Sequence, residues 1–301
     1  MDTIDGMRTF VAVVSEGSFS RAAERLNMSP QLVSKYVAQL ESRLDARLIN
    51  RSTRRLSITE VGQGYFERCK DVLADIDEME SAVGDATASA RGTLRINAPM
   101  SFGTLHLSRA IAEYQCEQPE VSVDLTLDDR VVDIVSEGYD MAIRIGRLRE
   151  SSLVARKLAP IRLVVCGAAE YLAKQGVPDT PQDLKDHECL RYTLSSYSDR
   201  WRFKDGENTI DVPVSGKFSA SNGDTIRLVA MAGKGLALQP TFIVGDDIRE
   251  GRLQLILEDF EVEPMGLYAV YAHRKYLSGK VRTFVDFLGG YFGSPPYWEC
   301  G

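Results

Sequence analysis

Between Ser18 and Glu41 the chain writes two short amphipathic helices around a tight turn and follows them at once with a basic segment. Phe19, Ala22, Ala23 and Leu26 share one helical face. Val33, Val37, Leu40 and Leu44 share another at three- and four-residue spacing, so each helix has one side to bury. Asn27-Met28-Ser29-Pro30 separates the two, with Ser29 placed as N-cap and Pro30 at the first helical position, where a missing N–H is no loss. The second helix leaves Gln31, Ser34, Lys35, Ala38 and Ser42 outside. Small or hydrogen-bonding side chains of this kind let a helix enter the major groove of double-stranded DNA and reach base edges or phosphates. Ile4, Met7, Phe10, Val11 and Val14 mark a preceding amphipathic helix that closes a three-helix core. Leu48/Asn50 and Leu56/Ile58, flanking Arg51, Arg54 and Arg55, predict a two-stranded wing whose arginines meet phosphates or the minor groove.

Charge agrees once it is divided along the chain. The net value of −7 is wrong for a uniform DNA binder, but residues 20 to 55 carry eight Lys/Arg against three Asp/Glu, a local +5 that leaves −12 for the rest. A chain of 301 residues with 44% hydrophobic content suits two or three domains with real cores.

The pattern Ser18-Phe-Ser-x-Ala-Ala, then Leu26, Ser29-Pro30, Val33-Ser34, Leu40-Glu41, Leu44, Leu48, Arg51 and Ile58-Thr59-x-x-Gly62, resembles the winged helix-turn-helix of LysR-type transcriptional regulators. Asp45 stands where that family usually has a glycine, and Ile49 where a phenylalanine is common. The resemblance implies an α/β protein with an N-terminal winged helix-turn-helix, a linker helix and a two-lobed, periplasmic-binding-protein-like effector domain. It also implies binding to promoter DNA at an interrupted palindrome, contact with RNA polymerase, and a homodimer assembling to a homotetramer. Ser29, Pro30, Gln31, Ser34, Lys35, Arg51, Arg54 and Arg55 are the expected DNA-facing residues.

After Thr59 the period changes. Tyr65, Cys69, Val72, Ile76, Met79 and Val83 recur at alternating spacings of four and three, a narrow heptad seam on one long helix, while Asp71, Asp75, Asp77, Glu78 and Glu80 keep the other faces wet. So narrow a seam predicts pairing with the same helix of a second subunit. The expected domains are 1–58 for DNA binding, 59–88 for the dimerisation helix, 89–92 for a small-residue hinge and 93–301 for the effector domain. Lobe I of that domain takes 93–161 and 267–301, and lobe II takes 162–266.

From Thr93 strands and helices alternate: extended at 94–97, 121–127 and 141–145, helical at 103–115 and 131–137, which predicts a mostly parallel sheet. A second run starts at 163–166 and 168–174, with antiparallel strands over 201–220 turning at Asp205-Gly206. Helices at 225–232 and up to Ile248, the segment 235–240 and the stretch 253–257 complete it. Leu267 to Tyr271 and the helix 281–291 return to the first half, with crossings near Pro160 and Met265-Gly266.

A cleft between two such lobes lies at strand carboxyl ends, where α/β proteins bind small molecules. Ser101-Phe102-Gly103-Thr104 follows a strand and precedes a helix, offering hydroxyls and backbone N–H groups to a carboxylate; the family resemblance implies an effector site at this same loop. Asn222 and Gln239-Pro240 are second-lobe candidates, and Arg144 on the strand 141–146 either meets a bound anion or fixes a neighbouring acidic group.

Enzymatic readings find little support. His106, His187 and His273 are isolated, no GxSxG, HExxH or Walker A sequence occurs, and Gly233-Lys-Gly235 lacks a dinucleotide loop's third glycine. Cys69, Cys116, Cys166, Cys189 and Cys300 are scattered without a CxxC, so neither a disulfide framework nor a zinc site is expected, and no metal or cofactor. With no long apolar run and an acidic N-terminus, the expectation is a cytoplasmic protein away from the membrane. The alternative, a constitutive DNA-binding repressor without effector, leaves the long α/β segment without a purpose.

Overall fold

The computed structural model describes residues 2–51, 56–84, 90–147, 153–195, 198–206, 208–272 and 277–299, and the chain divides into two compact units, 1–88 and 89–301. In the first unit α1 (Thr3–Glu16), α2 (Phe19–Leu26) and α3 (Pro30–Leu44) pack around Phe10, Val13, Ala22, Ala23, Val33, Val37 and Leu40. Leu44, read as part of the buried face, is 38% exposed because it lies in the last turn, beyond the core. β1 (Ile49–Arg51) and β2 (Leu56–Ile58) pair antiparallel as the wing, with Asn50 opposite Ser57. Asp45 closes α3 in the left-handed region at φ 48°, which is the backbone reason for a glycine there.

α4 (Glu60–Gly84) is the long helix. Thr59 starts it: its hydroxyl accepts from the Gly62 N–H at 2.9 Å and donates to the Arg47 carbonyl at 2.7 Å. A Cβ on Gly62 would stand 2.1 Å from the Leu48 carbonyl oxygen, so the Thr59-x-x-Gly62 spacing is set by this close approach. The heptad reading needs correction in the first turns. Tyr65 packs on Phe10 with ring centroids 5.8 Å apart, and Cys69 is 1% exposed in the same core, so both belong to their own domain rather than to an intersubunit seam. Three short helices do not close their core alone, and α4 supplies the missing wall. Further along, Val72 is 43% exposed and Ile76 half-buried, while the side chains of Met79 and Val83 lie outside the described residues.

The second unit holds two mixed sheets, where a mostly parallel one was expected. The first has the order β4-β3-β5-β15-β6, from β3 (Gly92–Ala98), β4 (Val121–Leu127), β5 (Met141–Gly146), β6 (Leu153–Ile161) and β15 (Met265–Ala272). β3, β4 and β5 run parallel; β15 pairs antiparallel with both β5 and β6. The second has the order β11-β8-β12-β7-β13, from β7 (Leu163–Gly167), β8 (Cys189–Tyr192), β11 (Ser219–Ala220), β12 (Leu236–Pro240) and β13 (Gln254–Ile256). Here β8, β11 and β12 are parallel, whereas β7 opposes β12 and β13. A small antiparallel sheet of β9 (Arg200–Asp205), β10 (Asn208–Pro213) and β14 (Glu261–Val262) stands beside it. The antiparallel strands follow from the double crossing: the chain leaves the first lobe through β6 and re-enters it through β15.

Helices cover the sheets: a helical run of α5 (Met100–Phe102), a π turn (Gly103–Leu107) and α6 (Ser108–Glu117), then α7 (Ala169–Gln175), α8 (Gly223–Met231), α9 (Thr241–Arg249) and α10 (Gly279–Tyr291). The segment 131–137, expected as a helix, forms turns. The Asp133 carboxylate accepts from the backbone N–H groups of Val135 and Ser136 at 3.0 and 3.2 Å, so a local side-chain turn outcompetes the helix, and Val131 stays 88% exposed. Strands β6 and β8 and the 3₁₀ turn Pro181–Asp186 were not read from sequence, and Ser219–Ala220 joins β8 rather than the β9–β10 hairpin. No helix among the described residues is long and apolar enough to cross a membrane.

Candidate functional site

The turn between α2 and α3 is built as its residue types demand. Asn27 closes α2 in the left-handed region, Ser29 Oγ accepts from the Leu32 N–H at 3.2 Å, and Pro30 opens α3. With Val33, Val37 and Leu40 buried, Gln31, Lys35, Ala38 and Ser42 are exposed and Ser34 half-buried. Glu41 reaches from the far end of α3 to the wing, where Oε1 accepts from the Leu48 and Ile49 N–H groups at 2.9 and 3.0 Å. The wing thereby keeps a fixed attachment to the helix. Arg51 lies on β1, but its side chain, and Arg54 and Arg55 entirely, lie outside the described residues.

The effector candidates separate into two groups. Ser101 and Gly103 are buried, Phe102 is fully buried, and only Thr104 of the four is exposed. The helix expected to start at Gly103 starts at Met100, so the four residues occupy its first turns instead of a preceding loop. The Met100 N–H already donates to Asp129 Oδ1 at 2.9 Å, an internal carboxylate at the positive helix end. Phe102, expected as a cleft wall, instead sits in a cluster with His106, Phe242, Phe292 and Trp298, each ring centroid between 5.4 and 5.9 Å from its own. A Cβ on Gly103 would meet Leu127 Cδ2 at 2.2 Å, so its role is close packing on β4.

The other group bridges the lobes. Ser101 Oγ donates to Asp224 Oδ2 at 2.6 Å, and Asn222 Nδ2 donates to Asp129 Oδ2 at 3.4 Å. Asn222 also caps α8, its Oδ1 accepting from the Thr225 N–H at 3.0 Å. Gln239 is buried near the end of β12, and Pro240 opens α9. Arg144 Nη1 donates to Asn97 Oδ1 and to the Ile143 carbonyl; Nη2 is buried without a hydrogen-bond partner. Burial lowers the Arg144 pKa, and the nearby Asp128 opposes that shift. Sequence reasoning missed Asp129 and Asp224. An acidic residue in a helix's first turn reads as favourable to the dipole, and one after a strand reads as a turn, so neither announces a bridge between lobes.

Two buried polar centres lie beside this region. His106 Nε2 donates to the Phe242 carbonyl at 3.1 Å, and Nδ1 lies 2.7 Å from the Tyr297 hydroxyl, from which it accepts in the neutral ring; burial lowers the pKa from the ordinary 6.5 and favours that form. Asp247, with no exposed surface, accepts from Arg227 and from Arg252 Nε at 2.7 Å. Burial works against its charge, yet the two guanidinium groups outweigh it and hold the carboxyl below its ordinary 3.8. Neither centre carries a nucleophile with a base, and among the described residues no His/Cys/Asp/Glu group could hold a metal ion.

Residues 4–63 match the family model of the bacterial regulatory helix-turn-helix protein, lysR family, and residues 87–293 match that of the LysR substrate binding domain. The chain belongs to the LysR family of transcriptional regulators. This LysR-type regulator is 32% identical to the HTH-type transcriptional activator AaeR of Escherichia coli over 293 residues, 97% of this chain and 94% of the relative. It is 32% identical to an HTH-type transcriptional repressor of Pseudomonas aeruginosa over 302 residues, 98% and 94% of the two chains. The solved structure of CrgA from Neisseria meningitidis is similar at a TM-score of 0.61 and 32% identity, covering 95% of this chain and 97% of that one. The two family models divide the chain as its charge does, a basic helix-turn-helix followed by an acidic substrate binding domain.

Proposed function

We propose that this LysR-type regulator binds promoter DNA as a dimer assembling to a tetramer, its activity set by a small anionic organic effector held between the two lobes of residues 89–301. The observation that carries the effector reading is Arg144, whose Nη2 is buried and unpartnered at the end of the sheet where the helical run after β3 begins. A buried guanidinium with a donor left over is stabilised by an added carboxylate. Ser101 and Asn222 place their polar groups between the lobes, where closure around a ligand shifts the domain between states.

On the DNA side, α3 enters the major groove, Gln31 and Ser34 meeting bases and Lys35 a phosphate, while Arg51, Arg54 and Arg55 position the wing. The test joins both halves. Footprinting of the DNA upstream of the regulator's own gene, with and without small carboxylates, changes on effector addition, and calorimetry shows Arg144→Gln binding the same acid about tenfold more weakly, as loss of one charged hydrogen bond implies. A footprint that no acid alters favours the constitutive repressor instead.

A further inference from the structure

Gln239 is the one glutamine in β12, a strand otherwise of Leu236, Ala237, Leu238 and Pro240, and it is 2% exposed. Its Oε1 is fully buried and accepts no hydrogen bond. The oxygen faces the junction of the lobes: a Cβ placed on Gly223, the first residue of α8, would lie 3.1 Å from Gln239 Oε1 and 3.6 Å from Ser101 Oγ. An apolar residue suits this position in a buried strand, and an unsatisfied acceptor there opposes folding. Two side-chain donors at the junction are already committed. The Ser101 hydroxyl proton goes to Asp224, and Asn222 Nδ2 goes to Asp129. Neither of these two side-chain donors is therefore turned to Gln239 Oε1.

We propose that the effector carries an N–H or O–H donor on the same small body as its anionic group, and that Gln239 Oε1 receives it. This rests on the reading of an anionic effector between the lobes, and it adds a second recognition element of opposite polarity. A bare anion set against Ser101 meets the carboxylates of Asp224 and Asp129. A molecule that also presents a hydroxyl or ammonium group offsets that repulsion and satisfies the orphan oxygen. Recognition by a site built to accept such a donor discriminates strongly, because a ligand lacking the donor leaves the buried acceptor unpaired.

Two measurements on the full chain test this. The first needs no ligand: Gln239→Leu, and as a second variant Gln239→Met, removes the orphan acceptor at nearly constant volume. The melting temperature of the free protein rises by about 2–4 °C, the shift for roughly 1 kcal/mol in a unit of this size. A fall in both variants shows an oxygen already satisfied within the free protein and overturns the proposal. The second is calorimetry with matched probes: butyrate against 3-hydroxybutyrate and 3-aminobutyrate, 2-phenylpropionate against mandelate and phenylglycine, and butylamine and butanediol as donors without an acid. The hydroxyl and amino arms identify which donor is used. A donor-bearing acid binds at least about tenfold more tightly than its match, and Gln239→Leu reduces the preference below about threefold. Acids that bind without regard to the donor leave the anionic reading standing and remove this one. Binding of the amine or diol but of no acid overturns the anionic reading and with it the pairing of donor and anion proposed here, and a panel in which no donor-bearing probe binds overturns the proposal.

Discussion

Ser101 of the first lobe donates its hydroxyl hydrogen to Oδ2 of Asp224 in the second lobe at 2.6 Å, joining the first turn of one helical run to the first turn of α8 across 123 positions of sequence. The donor is buried and the acceptor half-exposed, so the bond contributes to the stability of the two-lobed unit as well as to its polar lining. A hydrogen bond to a charged group contributes about 1.5–3 kcal/mol. Ser101→Ala and Asp224→Ala each lower the urea midpoint of residues 89–301, and the double variant loses less than the sum by at least about 0.5 kcal/mol, the coupling expected of contacting residues. Thr104→Ala, on the exposed side of the same turn, stays within about 0.5 kcal/mol of wild type. Additivity of Ser101→Ala and Asp224→Ala would show that the bond does not form in solution.

Asp45 holds a left-handed conformation at the end of α3, at φ 48°, where its Cβ opposes the backbone. Asp45→Gly removes that opposition and leaves the chain path into β1 intact, because Glu41 holds Leu48 and Ile49 independently. The substitution raises the unfolding free energy of residues 1–88 by about 1 kcal/mol. A denaturation curve that moves to lower urea would show that the Asp45 side chain makes a contribution larger than its backbone cost.

How far the sequence announces this molecule depends on the range of each contact. Ser29-Pro30 and Thr59-x-x-Gly62 are legible because both caps are made within three residues, although the close approach that requires Gly62 is to Leu48. β6 is not, since Arg156 and Lys157 interrupt its apolar residues and Pro160 is tolerated only because the strand is at the sheet's edge. The seam of α4 is visible as a period, but the period does not say which partner fills it; Phe10, more than fifty positions earlier, takes Tyr65. Arg144 and Asn222 stand out by type. Asp129, Asp224 and the unpaired oxygen of Gln239 become meaningful only when two lobes are brought together.

His106 gives the fold a pH dependence of definite sign. Its pKa is lowered in the folded state by burial, so below about pH 6.5 the unfolded chain takes up a proton that the folded chain refuses. Stability therefore falls as pH drops from 7 through 6.5 and continues to fall until the lowered folded pKa is reached. Asp247 acts in another window: its carboxyl is held below 3.8, so its contribution is present above that value and is lost only in more acidic solution. His106→Gln preserves a donor for the Phe242 carbonyl and an acceptor for the Tyr297 hydroxyl while removing the titration. Chemical unfolding between pH 7 and 5 shows a shallower slope for the variant, by at most about 1.4 kcal/mol per pH unit. Equal slopes would place the proton uptake elsewhere.

The two ends of the α4 stripe respond differently to charge and polarity. Cys69 is packed among Phe10, Val37 and Leu48 in the core of its own unit, and burial raises its thiol pKa, so it behaves as a small hydrophobe. Cys69→Asp buries an unpaired charge and unfolds residues 1–88, an effect seen by circular dichroism at any protein concentration. Ile76 is only half-buried within its own chain, one turn after exposed Val72, so both leave apolar surface uncovered on this stretch of the helix. Ile76→Glu leaves the helix-turn-helix folded and, where this face pairs subunits, weakens association by several kcal/mol, giving monomers in analytical ultracentrifugation at concentrations where wild type is assembled. An unchanged sedimentation profile for a folded Ile76→Glu protein assigns the subunit contact to another face of the helix.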